Sequence, residues 1–223
     1  MQPSLCAQPL HNRLGDRLLR YYITDRKLLG ESEEERRSAL LASVARACAA
    51  GVDWICLREK DLAARELERL AREVVAVIKQ EGGTTKLLVH TRSDVALAVG
   101  ADGVHLASGD QAMSPSEVRA LWMKTRARAP LIGVSCHTAE EVARAEAHGA
   151  DFAVFGPVFE KAGVQNETGL TRLEEVCRRD HSARAKMPLL ALGGVTGENA
   201  AQCMHAGAAG IAAIRLFQTP RRA

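Results

Sequence analysis

The sequence predicts a single (βα)8 barrel with its eighth helix short or absent, and three observations carry that expectation. The first is an internal repeat: Ala-Gly-Val-Asp at 50–53, Val-Gly-Ala-Asp at 99–102, His-Gly-Ala-Asp at 148–151 and Ala-Gly-Ala-Ala at 206–209. Its glycines, Gly51, Gly100, Gly149 and Gly207, lie 49, 49 and 58 residues apart. A period near 49 residues is two βα units, so four copies make eight. The second is composition, 47% apolar but only 4% aromatic, which favours small aliphatic side chains packed between helices and parallel strands over a β-sandwich. The third is length, since 223 residues suit one domain and are too few for two ordinary ones. A doubly wound sheet is the alternative, but its halves would not repeat four times.

Taken in order, residues 1–19 read as a leader, with the barrel domain over 20–223. Pro3, Gln8, Pro9 and Gly15 interrupt the leader, which holds no apolar run long enough for a signal peptide or a membrane span. Strands are expected at 21–24, 54–57, 87–90, 103–106, 131–135, 152–155, 189–192 and 211–214, as short apolar runs. Helical periodicity occupies 33–48, 63–80, 115–124, 139–148 and 197–205. Each repeat glycine closes a helical stretch just before a strand, where a positive φ costs glycine least. Thr138 and Glu141 form a cap and box pattern at the fifth of these strands' following helix. Only nine residues follow Ile214. The gap left by a missing eighth helix could be covered by residues 1–19 or by a partner subunit, which is compatible with a homodimer.

Thirty Lys and Arg against 27 Asp and Glu give a net charge of +3, well below the bias of dedicated nucleic-acid binders, so no nucleic-acid partner and no membrane is expected. The cysteines at 6, 48, 56, 136, 177 and 203 have neither zinc-site spacing nor the density of a disulfide framework, which suits a reducing cytoplasm.

In a barrel of this kind the carboxyl ends of the strands and the loops after them form one ring, and there the chain places most of its reactive groups. Arg58 and Lys60 flank Glu59 and could clamp a phosphate or diphosphate, Arg by its fork and Lys as a point charge. His90 and Ser135 are further candidate substrate contacts, and Gly193 and Gly194 expose backbone N–H groups to a phosphate. Asp110 is a candidate Mg²⁺ ligand. His137 is a candidate acid–base residue beside a helix start, and a loop residue equally well. The longest irregular stretch, 156–169, lies on the same face.

Together, Tyr-Tyr-Ile-Thr-Asp (21–25), Leu-Arg-Glu-Lys (57–60), the run 92–106 ending Gly-Val-His-Leu, Ile-Gly-Val-Ser-Cys-His-Thr (132–138), the run 149–159 and Leu-Ala-Leu-Gly-Gly-Val (190–195) resemble the thiamin-phosphate synthase and TenI family. The resemblance implies a TIM barrel that joins an aminopyrimidine methyl diphosphate to a thiazole phosphate with Mg²⁺ and releases pyrophosphate. It implies that Arg58 and Lys60 hold the diphosphate, Asp110 a Mg²⁺ ion, Ser135 the pyrimidine side and Gly194 the thiazole phosphate. The chain departs from the synthase pattern in three places. His90-Thr91 stands for Asn-Asp, only Lys161 is kept of a Thr- and Lys-containing loop, and Arg215 replaces a Ser and could supply phosphate contacts. TenI-like thiazole tautomerases also lack that Asp and use a His in the segment matching His137; Ser108-Gly109 resembles them too. Synthase, tautomerase and a non-catalytic phosphate-ligand sensor are therefore the three readings open at this point.

Overall fold

The computed structural model describes residues 18–109, 113–159, 169–178 and 187–218. Eight parallel strands close into a barrel in sequence order: β1 (Leu19–Ile23), β2 (Trp54–Leu57), β3 (Lys86–His90), β4 (Gly103–Leu106), β5 (Leu131–Cys136), β6 (Phe152–Phe155), β7 (Leu189–Leu192) and β8 (Gly210–Ala213). Closure is made by β8 against β1, with Leu19 opposite Gly210 and Tyr21 opposite Ala212. The helices are α1 (Glu33–Ala49), α2 (Ala64–Gln80), α3 (Ser93–Val99), α4 (Pro115–Thr125), α5 (Ala139–Ala147), α6 (Gly169–Arg178), α7 (Ala200–His205) and α8 (Arg215–Gln218). Periodicity does not single out α3, which is only two turns long, or α6, which follows the long irregular stretch. The eighth helix, as described, is a single turn. Residues 1–17, the greater part of the expected leader, lie outside the described residues.

The repeat has a physical basis at the amino end of the barrel. Gly51, Gly100, Gly149 and Gly207 all have positive φ, between 70° and 96°, and turn the chain from helix into strand. In the first three copies the following Asp accepts a backbone N–H from the strand before it: Asp53 from Arg20 at 2.9 Å, Asp102 from Leu87 at 3.0 Å, Asp151 from Ile132 at 2.8 Å. These carboxylates tie neighbouring strands where ladder pairing runs out. The fourth copy has Ala209, which has no carboxylate and ties the strands by backbone bonds alone, its N–H to Leu189 O and its carbonyl from Leu19 N–H.

The aliphatic core expected from composition forms the layer between strands and helices, with Leu40, Val44, Leu70, Val74 and Leu173 fully or nearly fully buried. The barrel interior is different, because three aromatic rings fill it. Tyr21, Trp54 and Phe152 pack with ring centroids 4.4–6.0 Å apart. Gly133 makes room for them: a Cβ there would lie 2.2 Å from the Phe152 ring. The cysteines among the described residues form no disulfide. Among those residues, too, no helix is long and apolar enough to cross a membrane.

Candidate active site

The loop after β2 is fixed from beneath by a buried ion pair. Glu59, whose side chain is 1% exposed, accepts hydrogen bonds from Thr24 Oγ1 at 2.6 Å, from Arg26 N at 3.1 Å and from the Arg26 guanidinium at 3.2 Å. Arg26 also binds Asp61 at 2.8 and 3.0 Å and Glu33 at 2.7 and 3.1 Å. Burial pushes the Glu59 carboxyl up, against the opposing effect of these donors, while Arg26 pulls Asp61 down to about 2. Thr24 Oγ1 in turn accepts the Arg58 N–H at 3.0 Å. The sequence reads as a charged triplet, but its middle residue is buried, whereas Arg58 is half-buried and Lys60 exposed at the outer end of the barrel. Among the described residues neither has a salt-bridge partner.

Beside these cations lies a buried polar row. Tyr21 Oη is 3.0 Å from His105 Nδ1, and His105 Nε2 is 2.8 Å from Ser135 Oγ. The His90 and His105 rings are 5.8 Å apart. Burial, then the positive charge of Arg58 and Lys60, holds His90 down at about 4; burial, then His90 and Arg58, holds His105 down at about 3. Both imidazoles are neutral at pH 7. His90 Nδ1 is buried without a hydrogen-bond partner among the described residues. Arg58, Lys60, His90 and Ser135, distant in sequence, thus meet at one side of the mouth, with His105 at their centre. His105 escapes a reading by residue type, because a single His inside Gly-Val-His-Leu looks like core. The strand alternation that points Tyr21 inward would have found it.

A second group forms across β5, β6 and β7. Thr138 Oγ1 accepts the Glu141 N–H at 3.2 Å as expected of a cap, but the Glu141 carboxylate closes on the His137 N–H instead of on Thr138. His137 is exposed, and its Nδ1 lies 2.6 Å from Gly156 O. A carbonyl only accepts, so Nδ1 carries the proton, and in the neutral ring Nε2 is the acceptor. Gly193 packs against the neighbouring Pro157, where a Cβ would approach to 2.7 Å, and has φ 99°. Gly194 has φ 63°, and its carbonyl is held by Asn199 Nδ2 at 3.0 Å. Arg215 is exposed at the first position of α8.

Thr91 has φ 55°, a left-handed conformation that a β-branched residue adopts only under strain. Its Oγ1 donates to the His90 carbonyl at 2.8 Å. The described donors do not fit a protein-held Mg²⁺ ion: Thr91 offers no carboxylate, Glu59 and Asp61 are committed to Arg26, and no group of three potential ligands occurs among the described residues. Asp110 and Lys161 lie outside those residues.

A closed parallel barrel with two outward cations and a neutral histidine pair at the carboxyl ends of its strands defines a class, the (βα)8-barrel enzymes that take an anionic small molecule at the mouth. A family model described as thiamine monophosphate synthase matches residues 21–217. The chain is 42% identical over 197 residues to a provisionally assigned thiamine-phosphate synthase of Geobacter sulfurreducens, covering 87% of this chain and 84% of that one. It is 36% identical over 202 residues to a thiamine-phosphate synthase of Methanoregula boonei, covering 89% and 84%. A solved structure, the thiamine phosphate pyrophosphorylase from Pyrococcus furiosus, superposes with a TM-score of 0.72 at 29% identity, covering 92% and 89%. The chain belongs to the thiamine monophosphate synthase family.

Proposed function

We propose that the chain joins an aminopyrimidine methyl diphosphate to a thiazole phosphate, forming thiamin phosphate and releasing pyrophosphate. The observation that carries this reading is the pair of outward cations, Arg58 and Lys60, on a loop held by the Arg26–Glu59 pair beside His90 and Ser135. The bond between the pyrimidine methylene and the diphosphate oxygen breaks first. The thiazole nitrogen then attacks the methylene cation, so no general base is required at the nucleophile. The protein's work is charge neutralisation and positioning. Arg58 and Lys60 take up the charge that grows on the leaving diphosphate, and His90 and the Ser135 hydroxyl line the pyrimidine side. The Gly193–Gly194 backbone receives the thiazole phosphate, with Arg215 as a further phosphate contact. Lys60→Ala is expected to weaken binding of the pyrimidine diphosphate by about 1.5–3 kcal/mol, the range for a hydrogen bond to a charged group. Calorimetry showing unchanged affinity would remove the pair from the site.

Mg²⁺ in this reading rests on Asp110 and on substrate phosphate oxygens. Ligand-free protein is therefore expected to bind Mg²⁺ weakly, and Thr91→Asp should tighten binding. Asp also tolerates the left-handed backbone better than Thr, so the same variant should gain on the order of 1 kcal/mol in stability. Titration calorimetry and urea unfolding read the two effects separately, and a variant unchanged in both would contradict the assignment.

One observation favours a second reading, thiazole tautomerisation: the fixed Nδ1–H of His137 leaves Nε2 free to take a proton. A tautomerase would lose roughly 10²–10⁴-fold in rate on His137→Asn. The synthase reaction, which needs no proton transfer there, should lose less than tenfold in kcat, a rough bound for loss of one hydrogen bond.

A further inference from the structure

Tyr21, His105 and Ser135 lie on β1, β4 and β5, and their hydrogen bonds run from the fully buried barrel interior to the half-buried Ser135. Two directions of proton donation satisfy the two distances. In one, Tyr21 O–H donates to His105 Nδ1 and His105 Nε2–H donates to Ser135 Oγ. In the other, Ser135 O–H donates to Nε2, Nδ1–H donates to the phenol oxygen, and the phenol proton is left to the neighbouring Cys56. Cys56 is the remaining side chain hydrogen-bonded to Tyr21, and its thiol, buried and pushed up to about 12, stays protonated.

The two directions are unequal. A phenol O–H is a stronger acid than a neutral imidazole N–H, and an imidazole nitrogen a better acceptor than a phenol oxygen, so the bond between them is strongest with Tyr21 as donor. The second direction would also spend the phenol proton on a thiol sulfur, a weak acceptor. In a low-dielectric interior such differences are not levelled by water. We infer that Tyr21 and His105 are positioning residues that hold His105 as its Nε2–H tautomer and so turn the Ser135 hydroxyl proton outward, making Ser135 a hydrogen-bond donor to an acceptor atom of the ligand. Ser135 Oγ has no other partner among the described residues. Such an acceptor is a phosphate oxygen or a ring nitrogen. Naming the ligand as the pyrimidine diphosphate rests on the reading above, whereas the direction of the row does not.

The test is the two-bond ¹H–¹⁵N spectrum of the histidine rings in the full ligand-free chain at pH 7.5, with His105 assigned from the signals lost in His105→Asn. The expected result is a protonated Nε2 and a bare Nδ1 in the wild type, and a mixture of tautomers in Tyr21→Phe. A protonated Nδ1 in the wild type overturns the inference. So does a tautomer unmoved by loss of the phenol. In the synthase assay Tyr21→Phe should lower kcat/KM for the pyrimidine diphosphate roughly 3- to 10-fold, the span of one neutral hydrogen bond. That loss should vanish in a Ser135→Ala background, while a packing effect would persist there and contradict the coupling. Should the chain make no thiamin phosphate, the proposed function fails and the spectrum still decides the inference. Should Tyr21→Phe not fold, the wild-type tautomer decides it alone.

Discussion

Arg26→Met is expected to destabilise the protein by about 3–5 kcal/mol, the cost of leaving a buried partner charge uncompensated. Arg26 and Glu59 are 3% and 1% exposed in their side chains, so water cannot take over the missing contacts. Three carboxylates, on Glu59, Asp61 and Glu33, lose their shared cation at once. The double variant Arg26→Met, Glu59→Met should recover part of the loss, since two apolar groups leave no stranded charge. Because Thr24 links Glu59 to the Arg58 backbone, the single variant should also loosen the loop that carries the two outward cations. Urea unfolding measures the first effect and diphosphate affinity the second. A loss below 1 kcal/mol would mean that the pair does not hold this loop.

Acid should destabilise the protein well above the range where carboxylates titrate. His90 and His105 are depressed to about 4 and about 3 from an ordinary 6.5, chiefly by burial, so both are neutral in the folded state. The unfolded chain takes up two protons as pH falls through 6.5 and the folded one does not. The stability tied to these residues is complete above pH 6.5 and is lost as pH falls toward the folded values, about 2–3 kcal/mol of it between pH 6.5 and 5. Glu59 acts with the opposite sign, its carboxyl, raised by burial, taking a proton more readily when folded. The groups facing the two imidazoles are Arg58, Lys60, Tyr21 and Ser135. Urea midpoints at pH 7.5, 6.5, 5.5 and 5.0 follow the loss. A flat profile would mean that the histidines are solvated and charged.

Architecture was legible because it repeats. Four glycines at near-constant spacing mark four helix-to-strand turns, and a positive φ at each is something side-chain-bearing residues resist, so pattern and backbone physics agree. Arg58 and Lys60 were legible for a similar reason, as charges directly after a fully apolar run. What sequence did not disclose depends on contacts between distant segments. Glu59 looks solvated between two cations until the β1 loop brings Arg26 under it. His105 looks like a filler in an apolar strand until closure of the barrel sets it between Tyr21 and Ser135. Thr91 announces a missing carboxylate by its identity, but its left-handed backbone is visible only in three dimensions. The expected capping box at Thr138 was half right, since a half-buried Glu141 lies near two adjacent N–H groups and takes that of His137.

The central claim is that this mouth expels pyrophosphate from a pyrimidine diphosphate and hands the cation to a thiazole phosphate. A steady-state assay of the wild-type chain with both substrates and Mg²⁺ tests it, with proton exchange on the thiazole phosphate followed by NMR in D₂O in the same samples. Thiamin phosphate and pyrophosphate should appear in equal amounts, without solvent exchange into the unreacted thiazole phosphate. Exchange at the thiazole with no thiamin phosphate formed would contradict the claim and assign the site to His137-dependent tautomerisation.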